Sequence, residues 1–184
     1  MCWGAAVVPV ASDVVIRLCE GMADIFVVLY VTNISRTTLP QFGVLISIQL
    51  PTSIVIYAPS AKVAERIGRK PLVVATFLCF AFHPVAVILT HSFVGLVLAF
   101  VLGGLREIGE PARKAMIVGF AQPQFRARTV GLYYLVRSSS ITPASLIGGL
   151  LWKAGPETPF VAAGLVGLLG TLLFALTVNE QGAV

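Results

Sequence analysis

Long apolar runs dominate the sequence, and six of them reach the length of a helix that crosses a membrane. A crossing helix needs about 20 mostly apolar residues to span roughly 30 Å of hydrocarbon. These runs are continuously apolar, whereas the strands of a closed barrel alternate in polarity. The pattern therefore predicts an all-α membrane protein with six transmembrane helices. The predicted spans are residues 13–34, 42–61, 71–90, 93–121, 129–152 and 159–178.

Short segments flank these spans. Residues 1–12 contain no Lys or Arg ahead of the first apolar run, which argues against a secretory signal peptide. They are interpreted as an N-terminal linker or as an early extension of the first helix. Residues 179–184 are predicted to form a C-terminal tail, so the transmembrane domain occupies residues 13–178.

The composition excludes most functions of soluble proteins. Of the 184 residues, 57% are hydrophobic and 11% are charged, whereas an average soluble domain has about 25% charged residues. A cytosolic enzyme, a nucleic-acid partner and a disordered chain are therefore not expected. The sequence also lacks a nucleophile motif, a metalloprotease His-Glu-x-x-His motif and a glycine-rich phosphate loop. No enzymatic activity, cofactor or metal site is predicted.

The distribution of basic residues predicts the orientation. Eight basic residues lie beside the second-to-third and fourth-to-fifth connections, and two lie on the opposite side. Cytoplasmic loops carry the excess of Lys and Arg, so both termini are predicted to be cytoplasmic, in the plasma or inner membrane. The eight are Lys62, Arg66, Arg69, Lys70, Arg113, Lys114, Arg126 and Arg128, and the two are Arg36 and Lys153.

The first span carries a narrow stripe of ionisable residues. Asp13, Arg17, Glu20 and Asp24 fall within an arc of about 60° on a helix. A charge at the bilayer centre costs at least about 2.5–3.5 kcal/mol, so the stripe should face protein or a water-filled cavity. Pairing within the helix, Asp13 with Arg17 and Arg17 with Glu20, is the alternative explanation, and for Asp13 and Arg17 it is an equally good one. Asp24 has no cation nearby along the helix, which favours a functional role.

The fourth and fifth spans supply cations at similar depth. Arg106 follows a long uncharged run and is expected to face a cavity, whereas Arg113 and Lys114 are interpreted as cytoplasmic anchors. Arg137 has no acidic residue within one helical turn and therefore needs a partner from another helix. An ion pair between Arg137 and either Glu20 or Asp24 is the hypothesis. The predicted substrate and proton pathway comprises Glu20, Asp24, Arg106 and Arg137.

The connection between the second and third spans resembles the signature loop of the major facilitator superfamily. That loop reads G-x-x-x-D-R-x-G-R-[RK], and here Ala61 and Glu65 stand where Gly and Asp are usual. Residues 104–117 and 142–152 also resemble the fourth and fifth helices of a half of this family. Residues 17–33 resemble the helix that opens its second half. The positions that match the signature are Arg66, Gly68, Arg69 and Lys70.

The resemblance implies a fold and a function. The family has twelve helices in two six-helix halves, each built of two inverted three-helix repeats, so this chain is expected to be one half, the C-terminal one. The implied function is secondary active transport of a small solute by alternating access, with protons as a candidate coupling ion. Glu65 and Arg69 would hold the cytoplasmic gate, together with Arg66, Gly68 and Lys70. Topology anchoring is the alternative role for the basic residues.

The expected partners follow from the same resemblance. They are the lipid bilayer, a small-molecule substrate, and either a second six-helix half or a second copy of the chain. The alternative function is that of a non-transporting membrane remnant or an assembly partner of another transporter half.

Overall fold

A computed structural model describes residues 3–90, 92–119 and 123–178. Within these ranges the chain is helical throughout and contains no β-strand. A π-helical segment, Tyr30–Ile34, continues the first helix, and a 3-10 turn, Pro123–Phe125, precedes the sixth. The α-helices are α1 (Trp3–Leu29), α2 (Leu39–Ile67), α3 (Arg69–Leu89), α4 (Phe93–Leu105), α5 (Glu110–Gly119), α6 (Arg126–Ala154) and α7 (Thr158–Thr177).

The first helix begins ahead of the first predicted span. Helix α1 begins at Trp3, so the segment ahead of the first predicted span is helical from that residue onward. The predicted C-terminal tail, residues 179–184, lies outside the described residues.

Three helices of the described residues are long and apolar enough to cross a membrane, namely α2, α3 and α7. Helices α1 and α6 have 27 and 29 residues, so length does not limit them. Helix α1 is set apart by four ionisable side chains between Asp13 and Asp24, and in α6 charged and hydroxyl side chains such as Arg137 lower the hydropathy. Such helices are stable in a bilayer when the polar face is turned toward protein or water.

The fourth predicted span is divided in the structure. The sequence predicts one helix over residues 93–121, but α4 ends at Leu105 and α5 begins at Glu110. The cause is local. Pro111 has no backbone N–H, and a proline in a helix interior would remove a hydrogen bond and clash with the preceding turn. In the structure Pro111 occupies the first turn of α5, where that N–H is not needed.

Helix α3 supports this break. The backbone N–H of Gly109 donates a hydrogen bond of 2.5 Å to Oγ1 of the buried Thr76. A Cβ atom on Gly109 would collide with the backbone carbonyl of Leu72. A glycine is therefore required at residue 109 by the close approach of the chain to α3, and the break is fixed by a specific interhelical contact.

Small residues allow the other helices to pack closely. Helix α7 lies against both α1 and α3, and a Cβ on Gly167 would come within 2.8 Å of the Cα of Ala81. In the same way, a Cβ on Gly104 would lie 2.7 Å from the Cβ of Thr52, where α4 meets α2. Interfaces of membrane helices use small residues for this reason. The outward faces carry large apolar side chains instead, including Ile54 and Leu176.

Candidate functional site

The charged stripe of α1 faces the charged residues at and beyond the end of α4. The two segments run antiparallel, so the ion pairs form successive rungs from one end of the bundle toward its middle. Every rung joins residues more than 80 positions apart in the chain. We call this set the ionic ladder; its rungs are Asp13–Arg113, Arg17–Glu110 and Asp24–Arg106.

The Asp24–Arg106 rung, which lies farthest along α1, contains two of the predicted pathway residues. Nη1 of Arg106 donates to both carboxylate oxygens of Asp24 at 3.0 Å, and its Nε donates to the carbonyl of Gly103 at 3.0 Å. Arg106 follows the last residue of α4, where the helix carbonyls favour a cation. Its side chain is 12% exposed, whereas that of Asp24 is 34% exposed. Asp24 is therefore the more accessible member of a partly buried pair.

The middle rung branches. Arg17 donates to Glu20 at 2.6 Å and to Glu110 at 3.4 Å. The predicted pairing within α1 is therefore present for Arg17 and Glu20. The second predicted pair is weaker, because Nε of Arg17 lies 4.0 Å from the carboxylate of Asp13. Asp13 instead has a closer partner on α5.

The Asp13–Arg113 rung is the most buried of the three. Arg113 donates to Asp13 and Glu110 and, at 2.8 Å, to the hydroxyl of Tyr133. The Tyr133 hydroxyl in turn donates to Asp13 at 2.5 Å. The prediction that Arg113 is a cytoplasmic anchor is wrong, since its side chain is only 5% exposed. A buried guanidinium needs paired carboxylates, and α1 and α5 supply them.

The phenyl ring of Phe80 lies between the Arg17–Glu110 rung and the Asp24–Arg106 rung. The guanidinium carbons of Arg17 and Arg106 each lie 4.9 Å from the centroid of Phe80 on α3. A cation over an aromatic face is stabilised by the ring quadrupole. The thiol of Cys19 donates to the backbone carbonyl of Phe80 at 3.4 Å. Helix α3 therefore contacts the ladder between two of its cations.

Arg137 does not join the ladder. Asp24 and Glu20 are paired with Arg106 and Arg17, so both hypothesised pairs with Arg137 are wrong. Its guanidinium lies 5.7 Å from the ring centroid of Tyr134. Its buried Nε has no hydrogen-bond partner among the described residues. The carboxylates of α1 are satisfied by cations that the antiparallel packing brings closer.

The signature loop is a sharp junction between α2 and α3. Gly68 is the single residue between the two helices and has φ 92°, a conformation that strains any residue with a Cβ. The loop lies beside the first turns of α5, and together they enclose a groove of about 480 Å³. Arg66 is exposed on the last turn of α2. The loop residues that line the groove are Glu65, Gly68, Arg69 and Lys70.

His83 is a packed residue rather than an accessible one. It is buried in α3, with Nδ1 3.0 Å from the carbonyl oxygen of Ala99 and its ring against Phe100. Gly103 provides the space for its ring, because a Cβ there would lie 2.8 Å from the imidazole. His83 therefore contributes to the packing of α3 against α4.

The predicted pathway left out five residues of the site, namely Asp13, Arg17, Glu110, Arg113 and Tyr133. A signal for the first four was present. The order of charges Arg113, Glu110, Arg106, read backwards along the chain, complements the order Asp13, Arg17, Asp24 along α1. Such an order is expected for antiparallel helices that pair. Nothing in the sequence distinguishes Tyr133 from its neighbour Tyr134. Among the described residues, no group of three His, Cys, Asp or Glu side chains is arranged to hold a metal ion.

Comparison with known sequences identifies the family. The profile described as Major Facilitator Superfamily matches residues 13–183. The chain belongs to this superfamily. Its all-helical fold and its apolar helices agree with a membrane protein of this superfamily.

Two curated relatives show how far the similarity reaches. The chain is 28% identical over 116 residues to a protein of Methanocaldococcus jannaschii named as an uncharacterized MFS-type transporter, covering 62% of this chain and 29% of that protein. It is 27% identical over 126 residues to the multidrug resistance protein MdtH of Aeromonas hydrophila, covering 64% of this chain and 32% of that protein. The chain thus spans less than one third of each relative.

Proposed function

We propose that this superfamily member acts as one six-helix half of a secondary active transporter for a small solute, and that it has no enzymatic activity. The six spans would be α1 with its π-helical extension, α2, α3, α4 together with α5, α6 and α7. They would form two inverted three-helix repeats, as in the C-terminal half of the family. The excess of basic residues beside the α2–α3 loop and around α5 favours cytoplasmic termini in the cell membrane.

The observation that carries this proposal is the Asp24–Arg106 pair. Ionisable side chains within a span are costly and are kept where an ion or a substrate passes. Asp24 is the more exposed partner, so its carboxylate is the group of this pair that a proton from an aqueous path would reach. Protonation of Asp24 removes the charge that holds Arg106, and the guanidinium then becomes available to a substrate or to another carboxylate.

The remaining pathway residues would surround this pair. Glu20 lies one turn from Asp24 on α1 and is itself held by Arg17 at 2.6 Å. Arg137 of α6 forms no ion pair among the described residues, so no neighbouring carboxylate neutralises its positive charge. Together these side chains would present both signs of charge to the pathway.

The signature loop would act as the cytoplasmic gate. Glu65, Gly68, Arg69 and Lys70 line the groove against the first turns of α5. Helix α5 also carries Glu110 and Arg113, which belong to the ionic ladder. A movement of the loop would therefore be transmitted to the ladder through α5. Arg66, at the end of α2, would anchor the loop at the membrane surface.

Alternating access requires a second wall for the central cavity. That wall would be another six-helix half or a second copy of the chain. The competing function is a non-transporting remnant or an assembly partner.

The test is uptake or efflux in membrane vesicles that contain the chain with its partner half. The Asp24→Asn variant removes the carboxylate charge but keeps the size, and Glu157→Gln is the matched control on the exposed α6–α7 connection. We expect proton-driven transport to be lost in Asp24→Asn and kept in Glu157→Gln, at equal membrane abundance. If no solute in a broad panel is transported with the partner half present, the remnant interpretation is correct.

A further inference from the structure

A second groove opens between α2 and α3, and Ile108 of the α4–α5 junction is also among its lining residues. It extends from Ile56 to Ile67 along α2 and from Pro71 to Ala75 along α3, and its volume is about 260 Å³. Eleven residues of helix rise about 16 Å, which is roughly half of the hydrocarbon thickness. The groove is therefore long and narrow rather than round.

The lining of this groove offers almost no hydrogen bonding. The one hydroxyl among its side chains, that of Ser60, already donates to the carbonyl of Tyr57 at 2.7 Å. Val63 and Ile67 are 41% and 58% exposed along its length. A solute with polar groups would lose hydrogen bonds to water here without replacing them. An alkyl chain loses none.

Basic side chains lie at one end of the groove. Arg66 lies three positions after the lining residue Val63, and it is exposed on the last turn of α2. Lys70 directly precedes the lining residue Pro71. The segment 62–70 carries four basic residues and one acidic residue, Glu65, and both Glu65 and Lys70 also border the other groove. The end of the apolar groove is thus electropositive.

We propose that this groove binds an acidic phospholipid of the cytoplasmic leaflet. One acyl chain would lie along the groove from Ile67 toward Ile56, and the phosphate would contact Arg66 and Lys70. An apolar channel that ends in basic residues is complementary to this amphiphile, and basic clusters at the cytoplasmic surface recognise anionic headgroups. Lipid binding depends on the insertion of α2 and α3 in the membrane, and it does not depend on transport.

Photolabelling tests the site. The full chain is reconstituted in phosphatidylcholine vesicles that contain a trace of phosphatidylglycerol with a photoreactive group in its acyl chain, and labelled peptides are mapped by mass spectrometry. We expect labelling of α2 between Ile56 and Ile67 to exceed that by the phosphatidylcholine analogue by on the order of tenfold, because each basic residue contributes to headgroup binding. Equal labelling by the two lipids would overturn the proposal.

Two variants separate the headgroup from the chain. The double substitution Arg66→Gln and Lys70→Gln should reduce the preference for phosphatidylglycerol to near unity, whereas Arg126→Gln with Arg128→Gln, two exposed basic residues of α6, should preserve it. Ala75→Phe should abolish labelling of the groove, and Ala58→Phe, on an exposed part of α2 outside the groove, should leave it unchanged.

Three results would contradict the assignment. The first is a preference that survives loss of Arg66 and Lys70, and the second is labelling that survives Ala75→Phe. The third is complete protection of the groove from both lipids, which would mean that a protein segment covers it. A transport defect has no bearing on these outcomes, so the lipid site and the proposed transport function fail independently.

Discussion

Asp13 and Arg113, one hundred positions apart, form a buried ion pair that joins α1 to α5. Tyr133 of α6 hydrogen-bonds to both of them. Helix α1 thus meets the consecutive helices α5 and α6 at one cluster, in which the guanidinium, the carboxylate and the phenol each have partners. This cluster gives the ionic ladder its fixed end, and the more accessible Asp24–Arg106 rung lies farther along α1.

Substitution of Arg113 should destabilise the fold strongly. In Arg113→Ala, Asp13 and Glu110 each lose a buried cation, and breaking a buried pair from one side costs about 3–5 kcal/mol. Lys114→Ala is the matched control, because Lys114 is 45% exposed and an exposed ion pair is worth less than about 1 kcal/mol. Denaturant unfolding of the purified chain in detergent measures both. Equal losses in the two variants would show that the cluster does not stabilise the fold.

The break between α4 and α5 should depend on Gly109. A methyl group there would collide with the Leu72 carbonyl, so Gly109→Ala must displace α3 or the break. We expect a loss of about 1–3 kcal/mol, typical of overpacking. Gly131→Ala is the control, because a Cβ at Gly131 would meet nothing within 4 Å. The same unfolding measurement applies, and tolerance of Gly109→Ala would mean that the contact with α3 is not needed.

Arg106 and Arg137 should respond differently to neutralisation. Arg106→Gln removes the partner of Asp24, and a double-mutant cycle with Asp24→Asn should give a coupling free energy of about 0.5–3 kcal/mol. Arg137 forms no ion pair among the described residues, so Arg137→Gln should change the free energy of unfolding by less than about 0.5 kcal/mol.

Transport gives the second readout for these two arginines. If the proposed pathway is correct, Arg137→Gln lowers transport in vesicles although the fold is unchanged. A stable Arg137→Gln variant with full transport would remove Arg137 from the pathway. A coupling energy of zero between Asp24 and Arg106 would contradict the rung.

Some features of the site follow from the sequence and others do not. The Arg17–Glu20 pair is predictable because positions three apart on one helix are neighbours whatever the tertiary fold. The Asp24–Arg106 pair depends on how far α1 is shifted along α4, and helix periodicity does not specify that shift. For this reason the sequence predicts for Arg137 a partner, Asp24, that pairs with Arg106 in the structure.

The division of the fourth span has a comparable explanation. An uninterrupted apolar run predicts one helix, but Pro111 and Gly109 sit where the run becomes polar, and proline and glycine both weaken a helix interior. The sequence does not reveal which group stabilises the break. In the structure that group is the hydroxyl of Thr76 on α3. Gly68 is the opposite case, because its conformation is local: its positive φ lets the chain turn sharply between α2 and α3.

Thiol labelling tests most directly whether the ladder borders an aqueous path. In a background without Cys2, Cys19 and Cys79, a cysteine replaces either Asp24 or Leu165, an exposed apolar residue of α7, and a membrane-impermeant thiol reagent is applied to vesicles that contain the chain and its partner half. We predict rapid labelling of Asp24→Cys that transported solute slows, and no labelling of Leu165→Cys. Protection of Asp24→Cys from the reagent under all conditions, with the chain inserted, would contradict the account.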